Sequence, residues 1–389
     1  MLRIVTLATL YPSDAQPGLG RFVEVQSIRL AARQDVDLRV ISPVALPPPP
    51  FDRHSRYVGL RTLPTQEVRN GVQIYRPRAA LLPGMGGALN PWFVYRAARP
   101  ILAALHRDGF AFDVIDAQFF FPDGPAAMRL ASDFGVPFSI KARGSDIEYW
   151  GQRFDTRAAV RRAAHAAGGL LSVSAALRDK MIALSLPAAT VHYTGVDLDR
   201  FGRVTCTEGK AGLGIDGPLV VSIGNLVALK GHDIVIKAVA SLPGAQLLIA
   251  GEGPERSRLS ATIAASGAAD RIRLLGAVPH ADVPALLAAA DVVALASERE
   301  GLANVWVEAL ACGTPVVAPD IGSAREVIDR PAAGRIVGRT PAAFAAAIRD
   351  LLASPPAPSA TREAAVRFSW DRNSSELFLH LARVAAISA

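Results

Sequence analysis

Two glutamates eight positions apart carry the densest chemistry in the chain. Glu300 and Glu308 enclose Gly301-Leu302-Ala303-Asn304-Val305-Trp306-Val307, and Ala309-Leu310-Ala311-Cys312-Gly313-Thr314-Pro315-Val316-Val317 follows. Gly301 permits a tight turn after the apolar run 291–295. Asn304 is an N-cap residue type, so the pattern predicts a helix over 305–312. Unbonded N–H groups at the positive end of such a helix suit a diphosphate. Carboxylates accept strongly from sugar hydroxyls. Lys230, in Gly224-Asn225-Leu226-Val227-Ala228-Leu229-Lys230-Gly231, adds a cation for the same anion. Taken singly, these residues have plain alternatives: a buried helix with two solvated glutamates near its start, and a surface lysine.

Other patterns with chemical spacing are structural. Gly212-Leu213-Gly214-Ile215-Asp216-Gly217 matches G-x-G-x-x-G but precedes a strand-like run and Pro218. A dinucleotide fingerprint must instead follow a strand and open a helix. Asp35-Val36-Asp37 and Asp197-Leu198-Asp199 have the form of metal-holding pairs. One precedes a strand and the other lies near a domain junction, so no metal site is assigned. Cys206 and Cys312 stand in unrelated contexts, which excludes a disulfide framework or a zinc cluster and fits a reducing compartment.

The elements that must position these residues alternate. Strand-like runs at 3–10, 37–42, 114–117, 137–141 and 169–173 are separated by helical stretches at 21–33, 125–134, 156–167 and 175–184. A second series restarts at 219–223 and continues through 245–250, 271–275, 291–295 and 314–318, with a helix at 232–240. Such alternation predicts parallel sheets with helical crossovers. The expected fold is α/β: two doubly wound, Rossmann-like units facing a cleft. Their expected bounds are 1–195 and 196–365, with a helical tail at 366–389 packing back on the first. The segment 45–64, broken by four prolines, reads as an extended loop; 195–217 reads as a linker and 81–90 as a mobile loop.

With 389 residues, half of them hydrophobic and a fifth charged, the chain has the length and composition of a globular protein of two or three domains. No apolar run approaches the roughly 20 residues of a membrane span, and the N-terminus reads as a strand rather than a leader. The charge is uneven. Residues 1–199 carry 23 Lys and Arg against 17 Asp and Glu, and the remainder carries 19 against 18. A basic half suits an anionic surface, although solvated arginines would give the same count.

The segment from Glu300 to Val317 resembles the signature of glycosyltransferase family 4. The resemblance implies that Glu308 binds the ribose of a donor nucleotide. It places Glu300 beside the transferred sugar, with the backbone of Gly301, Leu302, Ala303, Asn304 and Val305 against sugar and phosphate. Residues 221–231 are similar to the family's G-R-L-x-x-x-K-G element. Gly224 and Lys230 match it, and Asn225 stands where the family usually has Arg, which removes one charge from the diphosphate site. Ala250-Gly251-Glu252-Gly253-Pro254 resembles its G-x-G-P turn, and Leu275-Gly276-Ala277-Val278-Pro279 its base-contacting loop, implicating Ala277 and Val278. Pro17-Gly18-Leu19-Gly20 is similar to the glycine loop, placing Gly20 at the diphosphate. Phe121-Pro122-Asp123-Gly124 and Lys141-Ala142-Arg143-Gly144-Ser145-Asp146 resemble a subgroup acting on bacterial surface polysaccharides or glycolipids. They offer Asp123, Arg143 and Asp146 as sugar or acceptor contacts; a loop ion pair is the alternative for Arg143 and Asp146.

The resemblance implies a retaining glycosyltransferase of GT-B fold. It would take a sugar from a UDP- or GDP-type donor to a hydroxyl of a glycan or lipid-linked acceptor. Glu300 and Lys230 would be the catalytic pair, with no metal or other cofactor. The expected location is cytoplasmic, with the basic half against an anionic inner membrane face and Leu81-Leu82-Pro83-Gly84-Met85 inserted shallowly. Asp14, Asp123 and Asp146 are conceivable bases for the acceptor proton, and the leaving phosphate is another. The rival readings are a nucleotide-sugar epimerase and a non-catalytic sugar-nucleotide-binding subunit. A nucleic-acid binder is disfavoured, because aromatics make up only 6% of the chain and no stacking motif appears.

Overall fold

The computed structural model describes residues 1–81 and 87–387. The chain forms two compact units, Met1–Gly195 with Trp370–Ala389, and Val196–Ser369.

The first unit is built on an eight-stranded sheet. Its strands are β1 (Leu2–Leu7), β2 (Val36–Ile41), β4 (Gln66–Arg69), β5 (Val72–Tyr75), β7 (Val114–Ala117), β8 (Phe138–Ala142), β9 (Gly169–Ser172) and β10 (Thr190–Val191). A separate short pair joins β3 (Val44–Leu46) to β6 (Arg78–Ala80). The order in the large sheet is β10-β9-β8-β7-β1-β2-β5-β4. Every neighbouring pair is parallel except the β4–β5 hairpin. The strand order reverses between β1 and β7, and ligands of open α/β sheets collect beyond the carboxyl ends at such a reversal. β7 and β8 are buried along their whole length, as strands covered on both faces must be. The closing helix Trp370–Ala385 adds Leu377, Leu381 and Val384 to the core around Ile4, Val23 and Val36.

The second unit carries six parallel strands: β11 (Leu219–Ile223), β12 (Gln246–Ala250), β13 (Ile272–Gly276), β14 (Val292–Ala294), β15 (Val316–Pro319) and β16 (Gly334–Val337). The order β13-β12-β11-β14-β15-β16 reverses between β11 and β14. Val220, Ile249, Val292 and Val317 from four of these strands share one core with Phe344 and Ile348 of the helix Pro341–Ala353.

Three expectations change. Segment 45–64 is not all loop: the prolines end β3, and the helix Ser55–Arg61 follows with the His54 side chain accepting from Arg56 N at 3.3 Å. Segment 195–217 holds the helices Leu198–Phe201 and Cys206–Leu213. The second of these opens with a reciprocal cap between Thr205 and Glu208, a T-x-x-E signal present in the sequence. The stretch 66–107, to which the sequence assigned only the loop at 81–90, contains the β4–β5 hairpin and the long helix Asn90–Arg107. Asn70-Gly71 turns that hairpin with φ of 50° and 80°, the residue pair that a two-residue turn with positive φ favours.

Residues of the rejected motifs have local partners in the fold. Gly214 ends the helix Cys206–Leu213 in the left-handed conformation. Asp197 caps the helix Leu198–Phe201, while Asp35 pairs with Arg33 and Asp37 with Arg39. Among the described residues no group of three or more His, Cys, Asp or Glu is arranged to hold a metal. Nor is any helix among them long and apolar enough to cross a membrane. Residues Leu82, Pro83, Gly84 and Met85 of the expected insertion loop lie outside the described residues.

Candidate functional site

In the second unit the reversal between β11 and β14 brings two loops together. The loop after β11 runs through Gly224 and Asn225 to a short turn, Ala228–Lys230. The loop after β14 runs from Leu295 to the helix Asn304–Cys312. They are joined by a backbone bond in which Glu298 N donates to Leu229 O at 2.7 Å. Gly231 has φ 64°, and a Cβ there would lie 2.2 Å from Ala296 O. Only glycine permits that approach.

This seam sets Lys230 against Glu300. The ammonium pairs with Glu300 Oε1, and Ser297 Oγ donates to the same oxygen at 2.8 Å. The Lys230 side chain keeps 26% of its exposure and that of Glu300 keeps 12%. The ammonium therefore stays reachable from solvent while the carboxylate is largely enclosed. Behind Glu300, Gly322 packs so closely that a Cβ would meet Glu300 O at 1.9 Å. The turn Gly251-Glu252-Gly253 backs the first loop: Leu226 N donates to Glu252 O at 2.8 Å, and a Cβ on Gly251 would sit 1.9 Å from Gly224 O. Its glycines act by close packing against the loop.

The helix after Glu300 begins at Asn304, not after it. Ala303 occupies the N-cap position, no side chain caps the helix, and its first turn holds no carboxylate. The expected Asn304 cap is thus corrected, and the positive end of the helix keeps no compensating group of its own. Glu308, in the second turn, lies 3.9 Å from His280 Nε2. His280 is an addition to the expected set: its ring meets Phe201 edge-on at 6.2 Å, and its carbonyl accepts from Arg200. Ala277 is exposed and Val278 half-buried in the loop after β13. Asn225 is exposed. A second cation that the sequence did not single out, Arg339, donates through Nε to Ala296 O at 2.8 Å. That carbonyl is the one Gly231 packs against.

In the first unit the strand reversal lies between β1 and β7. Gly20 caps the helix Arg21–Ala31 with φ 69°, and a Cβ would meet Leu10 O at 2.2 Å. At the end of β8, Arg143 donates through Nε to Gln118 O at 3.0 Å and through Nη2 to Gln118 Oε1. Its guanidinium lies 4.5 Å from the Phe22 ring centroid, a cation–π distance. Burial lowers its pKa to about 10, so it remains a cation at neutral pH.

The carboxylates expected beside Arg143 have other tasks. Asp146 is buried and accepts from the amides of Phe120 at 2.9 Å, Arg143 at 3.0 Å and Gly144 at 2.8 Å. It holds a loop by its backbone and makes no side-chain ion pair with Arg143. Asp123 is fully buried and accepts from Thr9 N at 3.2 Å. Burial pushes it up to about 8, so it is mainly protonated at neutral pH. Asp14 is exposed and paired with Arg69 at 3.0 Å.

Residues 208–368 match the family described as glycosyl transferases group 1, and residues 18–200 match glycosyltransferase family 4. The chain is 30% identical over 329 residues to a putative teichuronic acid biosynthesis glycosyltransferase of Bacillus subtilis, covering 82% of each. It is 35% identical over 202 residues to the D-inositol 3-phosphate glycosyltransferase of Mycobacterium leprae, covering 48% of this chain and 47% of that one. Among solved structures, sucrose-phosphate synthase of Thermosynechococcus elongatus superposes with a TM-score of 0.80 at 20% identity over the whole of both chains. The Anabaena protein HepE, crystallised with UDP, gives 0.75 at 19% identity over 98% of this chain and 100% of its own.

Proposed function

The chain belongs to glycosyltransferase family 4, with the GT-B fold of two Rossmann-like domains, and from that premise we propose that it is a retaining enzyme using a UDP- or GDP-sugar. The acceptor in this reading is a hydroxyl of a glycan or lipid-linked sugar in polysaccharide or glycolipid synthesis. The observation that carries the reading is the Lys230–Glu300 pair beside an uncapped helix start.

The diphosphate docks against the amides of Gly301 to Val305 and the Lys230 ammonium, which moves from Glu300 alone to a position shared with the leaving group. Charge developing on that group is met by donors already in place, with no metal. Glu300, held by Ser297, orients the transferred sugar, and Glu308 accepts from the ribose hydroxyls. Gly224, Asn225, Ala277 and Val278 complete the nucleotide side. As the bond from the anomeric carbon to the diphosphate oxygen breaks, the acceptor oxygen forms its bond on the same face. Its proton passes to the departing phosphate oxygen. The protonated Asp123 and the amide-bound Asp146 support that route over a separate side-chain base. Arg143 is the acceptor-side contact. The basic first unit faces anionic lipid; vesicles with and without acidic lipid test this by co-sedimentation, and equal binding to both would overturn it.

A donor screen tests the central reading. UDP-, GDP-, ADP- and TDP-sugars are compared by thermal shift, and a ligand at 100 times its Kd stabilises by about 2.7 kcal/mol. One donor class is expected to raise the melting temperature, and Lys230→Ala to abolish transfer from it. Interconversion of the donor sugar without an acceptor would instead mark an epimerase. Binding without turnover toward any acceptor would mark a non-catalytic subunit.

A further inference from the structure

Lys141 is fully buried in β8, where a lysine is an expensive choice. A methionine would fill similar space without desolvating an amine. Burial drives its pKa well below the usual lysine range. Its bonds explain what the amine does there. Lys141 Nζ lies 2.7 Å from His192 Nδ1 and 3.2 Å from Gln26 Oε1. His192 Nε2 lies 2.9 Å from the backbone carbonyl of Asn373, in the first turn of the closing helix.

Hydrogen-bond direction then propagates along the chain of contacts. A carbonyl can only accept, so His192 Nε2 carries the proton and its Nδ1, in the neutral ring, is an acceptor. Lys141 therefore donates to it, and it also donates to Gln26 Oε1. The Gln26 carboxamide therefore points its NH2 at Gln118 Oε1, at 3.2 Å. That same oxygen receives Arg143 Nη2, and the Gln118 NH2 goes to Asp116 Oδ2. Each amide has one orientation that satisfies both neighbours. Reversing Gln26 would set oxygen against oxygen at Gln118. Reversing Gln118 as well would set its NH2 against the Arg143 guanidinium.

We propose that Lys141 is a positioning residue, which locks the carboxamides of Gln26 and Gln118 in one orientation and so holds the Arg143 guanidinium at the carboxyl end of β8. Its effect on transfer rests on the reading of Arg143 as an acceptor contact; its effect on Arg143 itself does not.

The test uses the full chain with arginine labelled at Nε. The Arg143 Nε–H signal is assigned by its loss in Arg143→Lys. In Lys141→Met that signal is expected to move by more than its linewidth or to broaden, in a protein that still melts cooperatively. Turnover is expected to fall about tenfold or more, as for a misplaced contact. The double variant Lys141→Met/Gln118→Leu is expected to be no slower than Gln118→Leu alone, because the lysine acts through that amide. An unmoved Arg143 signal in a folded Lys141→Met protein would overturn the proposal, whatever the activity. A moved signal with wild-type turnover would uphold the positioning and sink Arg143's place in the acceptor site. Should Lys141→Met fail to fold, Gln26→Leu cuts the same link, and the same two signals decide.

Discussion

Lys230 and Glu308 serve the same proposed donor, yet their removal has different expected consequences. In the proposed reading Lys230→Ala takes away the cation that would meet the leaving diphosphate, so kcat is expected to fall about 100-fold or more, measured by transfer at saturating donor. Glu308→Ala removes a charge-assisted acceptor present in ground and transition states alike. Its expected signature is a roughly tenfold or greater rise in donor KM with kcat near wild type. Asp123 offers a pH test. Its carboxyl sits at about 8 when folded against an ordinary value of 3.8. The folded chain thus binds the extra proton between those values, and stability attributable to this group is lost as pH rises through that window. Lys141 runs the other way, since its folded pKa is lowered, so the difference between two proteins is the useful measure. Denaturation of wild type and Asp123→Asn from pH 5 to 8 should show wild type losing ground at up to about 1.4 kcal/mol per pH unit. Parallel curves would refute it.

Loops carry the site, and glycines decide where the loops can go. Gly322 has φ 47° and leaves room for the Glu300 carbonyl. Gly322→Ala adds a Cβ 1.9 Å from that oxygen, on top of a left-handed backbone that costs about 1–2 kcal/mol for other residues. Transfer is expected to drop although Gly322 touches no substrate, and the variant should still melt cooperatively. The glycines at 231, 251 and 322 were visible in the sequence, but their partners were not. A close approach between backbones 22 to 65 residues apart leaves no local pattern.

At the scale of the whole molecule, the last helix belongs to the first unit. Leu381 is fully buried in the core with Ile4 and Val23, so Leu381→Ala is expected to cost about 2–5 kcal/mol. Chemical denaturation would measure the loss. A saturating sugar nucleotide stabilises only the folded chain that binds it, and its increment should survive in Leu381→Ala if the donor site lies in the second unit as proposed.

Sequence alone determined the alternation of strands and helices, and with it the parallel sheets, because a two-residue and a 3.6-residue period are written locally. It also determined the family, through a run of signature residues from Glu300 to Val317 that must stay together to make one loop and one helix. Short elements without such periods, such as the Ser55–Arg61 helix and the Asn70-Gly71 hairpin, were legible only as end signals. The tertiary structure decided partnerships: that Lys230 answers Glu300, that His280 stands by Glu308, that Asp146 serves amides and that Lys141 lies under Arg143. Those pairings join residues brought together by the strand reversals of two sheets and by a helix from the far end of the chain. Burial sets which of them ionise, and neither proximity nor burial is a property of neighbouring letters.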